Sequence, residues 1–201
     1  MTTEPPGDAV VLRASLTDPD RFATLFDRYY PDVRNYAASR LGAERADDVA
    51  ADTFVEAFRG RARYRDDVAG GSVRAWLFGI ATNLVRRQHR DEARRYRALV
   101  RAGRVAGAEA GGAVGADEAD AVSRIAAGAL RPALAAALAA LPARDRDVLL
   151  LVVVGQLDYA EVSAALGVPA GTVGSRLNRA RKSIRAALGG ADPTRIDEGS
   201  S

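Results

Sequence analysis

Apolar residues recur along this chain at spacings of three and four, the period of a helix with one buried face. Phe22, Leu25, Phe26, Tyr29, Val33, Tyr36 and Ala37 predict a first long helix over 21–41, aromatic-rich inside and stopped by Gly42. Val49, Thr53, Phe54, Ala57 and Phe58 predict a second over 45–59. Its outer face is acidic, because Asp47, Asp48, Asp52 and Glu56 fall at helical spacings there. Val73, Trp76, Leu77, Ile80 and Leu84 open a third helix over 72–97, and the spacing of Trp76 with Leu77 and Ile80 puts it in the core. The later half of that helix, RRQHRDEARRYR, is mostly charged, so it projects from the core as a basic rod. With a short helix over 9–16, these elements close a small all-α domain over 10–98.

The second half begins with a connection. Residues 99–121 are rich in Gly and Ala with several acids, the composition of a flexible linker, which extends to 132. An alanine-dense helix over 121–141 follows, with a kink or break expected at Pro132. The run DRDVLLLVVV suits a buried strand or a buried helix. A helix is the better reading, because Asp145 and Asp147 favour a helix start and Gly155 is placed as a stop. Residues 158–188 then read as two helices around a tight turn. Asp158 and Glu161 have capping-box spacing, Gly167 can end the first helix in the left-handed conformation, and Pro169 starts the second. On the second helix Val173, Leu177, Ile184 and Leu188 share one side, while Arg176, Arg179, Arg181, Lys182 and Arg185 fill the rest without an acid. That is a helix-turn-helix suited to the DNA major groove. The fold class is therefore all-α: two small helical domains, 10–98 and 133–188, joined by a flexible linker. Residues 1–9 and 189–201 are expected to be disordered.

Charge sharpens this picture. The net charge over 201 residues is only +3, but residues 86–104 hold eight arginines against Asp91 and Glu92, whereas 107–121 hold four acids and no base. Lys182 is the only lysine, a bias that points to genome base composition, so the arginine preference is not itself evidence of phosphate binding. The chain has no cysteine, which removes disulfides, thiolate catalysis and cysteine-based zinc sites. No apolar run reaches the roughly 18 residues of a membrane span, and the N-terminus lacks an export signal, so a cytoplasmic location is expected. Enzyme chemistry is not expected either. His89, the only histidine, sits in a basic run, GGAVGADEAD is linker composition rather than a phosphate loop, and no paired acids face an inferable pocket. No cofactor and no metal site are predicted.

The segment PARDRDVLLLVVVGQLDYAEVSAALGVPAGTVGSRLNRARKSIRAAL resembles the C-terminal DNA-binding region of a bacterial RNA polymerase sigma factor, of the sigma-70 family and its extracytoplasmic-function class. The phrase from Gly171 through Arg181 carries that likeness most specifically. LFDRYYPDVRNYA, DDVAADTFVEAF and VRAWLFGIATNLVRR resemble the same class's N-terminal core region, in the expected order. The likeness implies that Asp48, Asp52, Thr53 and Phe54 dock on the polymerase clamp; Ala51 stands where the family often has glutamine. It implies that the third helix reads and melts the −10 element, with Asn83 holding the melted strand and Arg86, Arg87 and Arg90 following the adjacent backbone. The loop over 65–71, beside Tyr64, matches the family segment that captures a flipped-out base. In the last helix Thr172, Ser175, Arg176, Asn178, Arg179 and Lys182 are the implied −35 readers. Gly174 departs from the family's frequent basic residue and costs that helix about 1 kcal/mol relative to alanine. Core RNA polymerase, promoter DNA and an anti-sigma factor are the implied partners.

Two other functions fit the residues alone: a stand-alone helix-turn-helix regulator with an N-terminal sensor or dimerisation domain, and an interaction protein with incidental basic helices. Copurification with core polymerase separates the first reading from both. Geometry adds one expectation. Promoter elements two DNA turns apart lie about 70 Å from each other. Residues 98–132 reach about 110 Å fully extended but span only about 30 Å as free coil. The isolated chain is therefore expected to bind promoter DNA poorly.

Overall fold

A computed structural model describes residues 6–65, 70–101 and 123–188. Expectations for the N-terminal tip, the tip of the base-capturing loop, the body of the linker and the tail lie outside the described residues. The described elements are α1 (Asp8–Ala14), a 3₁₀ turn (Pro19–Phe22), α2 (Ala23–Leu41), α3 (Ala43–Gly60), a 3₁₀ turn (Arg61–Arg63), α4 (Val73–Arg101), α5 (Ser123–Ala140), α6 (Ala143–Val153), α7 (Tyr159–Leu166) and α8 (Ala170–Ala187). Helical periodicity, and for α6 the start and stop residues around its apolar run, located these helices to within a few residues. Two differences concern the connection between the halves. α4 runs on to Arg101, past the end expected at 97, and α5 starts at Ser123, inside the 99–132 assigned to the linker. Pro132 lies inside α5, so of the kink or break expected there the helix does not break.

The ambiguous apolar run is helix α6. Val148, Leu149, Leu150 and Leu151 are all buried, which is why it shows no helical alternation. An element covered on several sides carries apolar residues all round. Asp158 and Glu161 form the capping box: the Glu161 N–H donates to Asp158 Oδ1 at 2.8 Å, and the Asp158 N–H to Glu161 Oε2 at 3.1 Å. Gly167 closes α7 at φ 62, the left-handed conformation that its missing Cβ permits. Asp158→Ala removes one side of the box and should lower the unfolding free energy by about 1 kcal/mol; urea titration followed by circular dichroism measures it.

The two halves do not stand apart. One apolar cluster includes Leu25, Tyr36 and Phe54 of the first half and Leu151, Val162 and Val173 of the second, and Phe78 on α4 belongs to it with zero exposure. α7 lies along α4, close enough that a Cβ on Gly79 would come within 2.8 Å of the Ala165 carbonyl oxygen. The caps of these two helices are also bonded to each other. Ser72 Oγ accepts from the Ala75 N–H at 3.0 Å and donates to Glu161 Oε1 at 2.7 Å. The pairing covers apolar residues of both halves in one cluster.

Candidate DNA-reading and docking surfaces

The recognition helix α8 is set by its inner side. Val173, Leu177 and Ala180 are buried against the rest of the helix-turn-helix, and Ile184 packs at their edge. That fixes the outer face. Ser175, Asn178, Arg179 and Lys182 are exposed, and Thr172 and Arg176 are partly covered. Arg179 is not a free arm. Its Nε and Nη2 each donate to Asp145 at 3.1 Å, a two-point pairing that holds the guanidinium in one orientation. The Asp145 side chain is 8% exposed and that of Arg179 is 60% exposed, so the acid is the buried anchor and the base the presented group. The pairing raises the Arg179 pKa further. Nothing lies within 4 Å of a Cβ built on Gly174, so its missing side chain leaves open space beside the reading face.

Three of the expected −10 residues gather around one depression. A surface cavity of about 510 Å³ is lined by Asn83, Arg87, Arg90, Arg63 and Glu56, with Trp76 and Ile80 among its apolar walls. Trp76 is therefore not the core residue that its spacing indicated. It packs on the core by one side only, and its ring tilts against Tyr64 with centroids 5.3 Å apart. An aromatic wall beside several guanidiniums and an amide suits an unstacked base and its phosphate.

Arg86 departs from expectation more sharply. It does not point along the basic rod with Arg87 and Arg90. Its Nε donates to Asp147 Oδ2 at 2.8 Å, across the interface to α6. Arg40 Nη2 reaches the other oxygen of Asp147 at 2.6 Å, with its side chain 2% exposed and that of Asp147 fully buried. An aspartate with no access to water must find cations, and both of its ion pairs are to arginines of the first half. Sequence reading took Asp145 and Asp147 as helix-start acids and left Arg40 unassigned. All three stand among charged neighbours in the sequence, and nothing local marks them as buried.

On α3, Asp48 and Asp52 are exposed and have no ion-pair or hydrogen-bond partner among the described residues. Asp47 differs. Arg34 and Tyr30 donate to it at 2.7 Å and 2.9 Å, and those bonds hold its pKa below the usual carboxylate range. Thr53 is fully buried and donates to the Val49 carbonyl at 2.7 Å, so it cannot itself touch a partner from this position. Phe54 is 4% exposed yet forms the floor of an apolar dip of about 340 Å³ with Phe22, Phe26, Val55 and Phe58. Phe26 and Val55, at the rim, are 39% and 44% exposed. The acidic residues and the apolar dip share one side of α3. His89 is exposed at its outer edge, with 42% of its side chain accessible, and partial burial, then the nearby Arg40 and Arg146, lower its pKa and favour its neutral form.

Two helical units, one presenting a polar and basic recognition helix and the other an exposed acidic helix face beside a basic, aromatic-walled cavity, have the surfaces of a DNA-reading protein. Comparison with known proteins agrees with this. Residues 25–95 match the family model of sigma-70 region 2, and residues 131–184 that of sigma-70 region 4. The extracytoplasmic-function RNA polymerase sigma factor SigD of Mycobacterium tuberculosis is 34% identical over 185 residues, 89% of this chain and 82% of that protein. The extracytoplasmic-function sigma factor EcfG of Rhodopseudomonas palustris is 30% identical over 159 residues, 79% of this chain and 80% of that protein. The solved structure of CnrH in complex with the cytosolic domain of CnrY shares the fold, with a TM-score of 0.64 over 92% of this chain and 99% of that one at 23% identity. The sigma factor RpoE of Bartonella quintana, solved with the anti-sigma factor NepR, gives 0.63 over 87% and 98% at 22% identity.

The chain belongs to the extracytoplasmic-function class of the sigma-70 family. It is a sigma factor, which binds core RNA polymerase and directs promoter recognition, melting and transcription initiation. No helix among the described residues is long and apolar enough to cross a membrane.

Proposed function

We propose that the two halves divide the work of this sigma factor residue by residue. Region 2, about 10–98, docks on the polymerase through Asp48, Asp52 and the dip floored by Phe54, with Thr53 holding that helix from inside. Asn83, Arg87 and Arg90, with Trp76 and Tyr64, take the −10 element at the aromatic-walled cavity, and Arg86 joins them when released from Asp147. Region 4, about 133–188, takes the −35 element through Thr172, Ser175, Arg176, Asn178, Arg179 and Lys182. Residues 99–132 connect them. The protein acts as a non-catalytic subunit in the cytoplasm, where its polymerase and promoters are. An anti-sigma factor is its expected restraint, since CnrH and RpoE are each solved with a protein partner, CnrY and the anti-sigma factor NepR.

The observation that carries this reading is the outer face of α8, where polar and basic side chains stand exposed on a helix whose apolar side is locked. Run-off transcription with purified core polymerase on genomic fragments tests it. Defined start sites that need this protein are expected, and their absence would remove the reading. Arg179→Ala tests the −35 assignment. Affinity for the −35 element is expected to fall by about 1–3 kcal/mol, confined to the cognate sequence if Arg179 touches a base edge. An equal loss on every sequence would make it a phosphate contact.

A further inference from the structure

Helix α8 carries the bases Arg176, Arg179, Arg181, Lys182 and Arg185, and among the described residues Arg179 alone of these is in an ion pair. Arg179 also stands in the middle of the reading face. Ser175 lies four residues before it and Lys182 three after it, on the same side of the helix. A free base on such a face can follow any phosphate, because a long, flexible cation needs only a negative charge within reach. A base that the fold has already fixed has fewer options.

The fixing group belongs to another element. Asp145 stands in the first turn of α6, where the helix start favours a negative charge. Its side chain is almost wholly covered, so the carboxylate stays beneath Arg179. A guanidinium has five N–H donors in a rigid fork. Nε and one hydrogen of Nη2, along one edge of the plane, are spent on Asp145. The end of the group keeps a hydrogen on Nη1 and the second on Nη2, two parallel donors on a side chain that is mostly exposed. Such a pair matches two acceptors side by side. In the major groove guanine alone offers them, at N7 and O6. A phosphate gains less, because an approaching anion also meets the Asp145 carboxylate behind the guanidinium.

We propose that Asp145 is a positioning residue for −35 recognition, which turns Arg179 from a general phosphate contact into the reader of one guanine. The proposal rests on the −35 role of Arg179 given above. Asp145 itself touches no DNA. Unpaired bases such as Lys182 supply affinity for any sequence, and the paired one supplies choice. Fixing the side chain beforehand also spares the cost of ordering it on the DNA.

The test uses the full chain with core polymerase, on promoters found by run-off transcription. Each base pair of the −35 element is replaced in turn, and an unrelated duplex of equal length is the reference. Fluorescence anisotropy at several salt concentrations gives the affinities. The parent should discriminate about tenfold at one G·C pair through Arg179, and Arg179→Ala should lose that step. Asp145→Ala should lose it too, although no group that touches DNA has been removed. It should also bind the unrelated duplex more tightly, with a salt slope steeper by about one, because a freed Arg179 counts as a further phosphate contact. Asp145→Asn keeps the shape and one acceptor but not the charge, so it should fall between; Asp145→Glu should recover part of the discrimination. In the Arg179→Ala background, Asp145→Asn should change discrimination no further.

A purely structural Asp145 would give another pattern: affinity falling alike on every duplex, in step with a lowered thermal midpoint, and no steeper salt slope. That result overturns the proposal, and so does unchanged discrimination in both Asp145→Ala and Asp145→Asn. If Asp145→Ala does not fold, Asp145→Asn decides. Discrimination left intact by Arg179→Ala would remove the −35 role of Arg179 itself. Discrimination lost there but intact in the Asp145 variants would remove only the positioning role.

Discussion

Replacing Phe78 by alanine is expected to lower the unfolding free energy by about 3–5 kcal/mol, the range for a large aromatic deleted from a tight core. The ring has zero exposure. It meets Tyr36 of α2 edge-on, with centroids 5.5 Å apart and planes at 80°. Arg74 lies over it at 5.9 Å, and Gly155 of the second half closes its far edge. The deletion therefore strips contacts from both halves at once. Neither can collapse into the gap without moving α4, which carries Asn83, Arg87 and the Gly79 seam. Equilibrium urea unfolding measures the loss. Because one apolar cluster runs through both halves, a single transition is expected, shifted to lower urea with little change in slope. A loss under about 1 kcal/mol would mean that the ring is not enclosed as described.

Asp52→Arg should have the largest effect on binding and almost none on folding. Asp48, Asp52 and Glu56 fall four residues apart in one exposed column of α3, an arrangement that costs a few tenths of a kcal/mol per like-charge contact. Reversing the middle charge turns two repulsions into two attractions, so thermal stability should hold or rise slightly. On a partner surface that has accepted this acidic face, the same reversal places like charges together, which costs several kcal/mol. The affinity for core polymerase should fall at least tenfold while the unfolding midpoint stays put. Parallel polymerase-binding and thermal-melt measurements separate the two effects. Unchanged affinity would show that the docking face lies elsewhere, and a lowered midpoint would show that Asp52 has a structural role.

Much of this molecule was legible in the residue pattern, for a definite reason. Helical periodicity is local, and so are the Asp158–Glu161 box, the Gly167 cap and the acid-free face of α8. Each depends on neighbours within about one turn, and each was found where the pattern put it. Trp76 shows the limit of that method. Its spacing is that of a buried residue, but a helix has an angular boundary between its covered and open sides. Which residues fall on that boundary depends on where α3 and the Tyr64 turn pack.

The buried charges were beyond local reading altogether. Asp145 and Asp147 are two residues apart at a helix start, and as sequence they are ordinary first-turn acids. One turned out to orient Arg179 across 34 positions, and the other to hold Arg86 across 61. Burial is a property of what another segment places on top, and no period encodes it. By itself, then, the sequence determined the helices, their caps, the two-part order and the sigma-factor likeness, because those reside in short-range pattern and motif. Only the tertiary structure decided that the two parts share one core, that α7 lies on α4 at Gly79, and that an arginine expected on DNA is held by a buried aspartate. Those facts arise from contacts between distant residues, whose energies depend on desolvation and fit rather than on spacing along the chain.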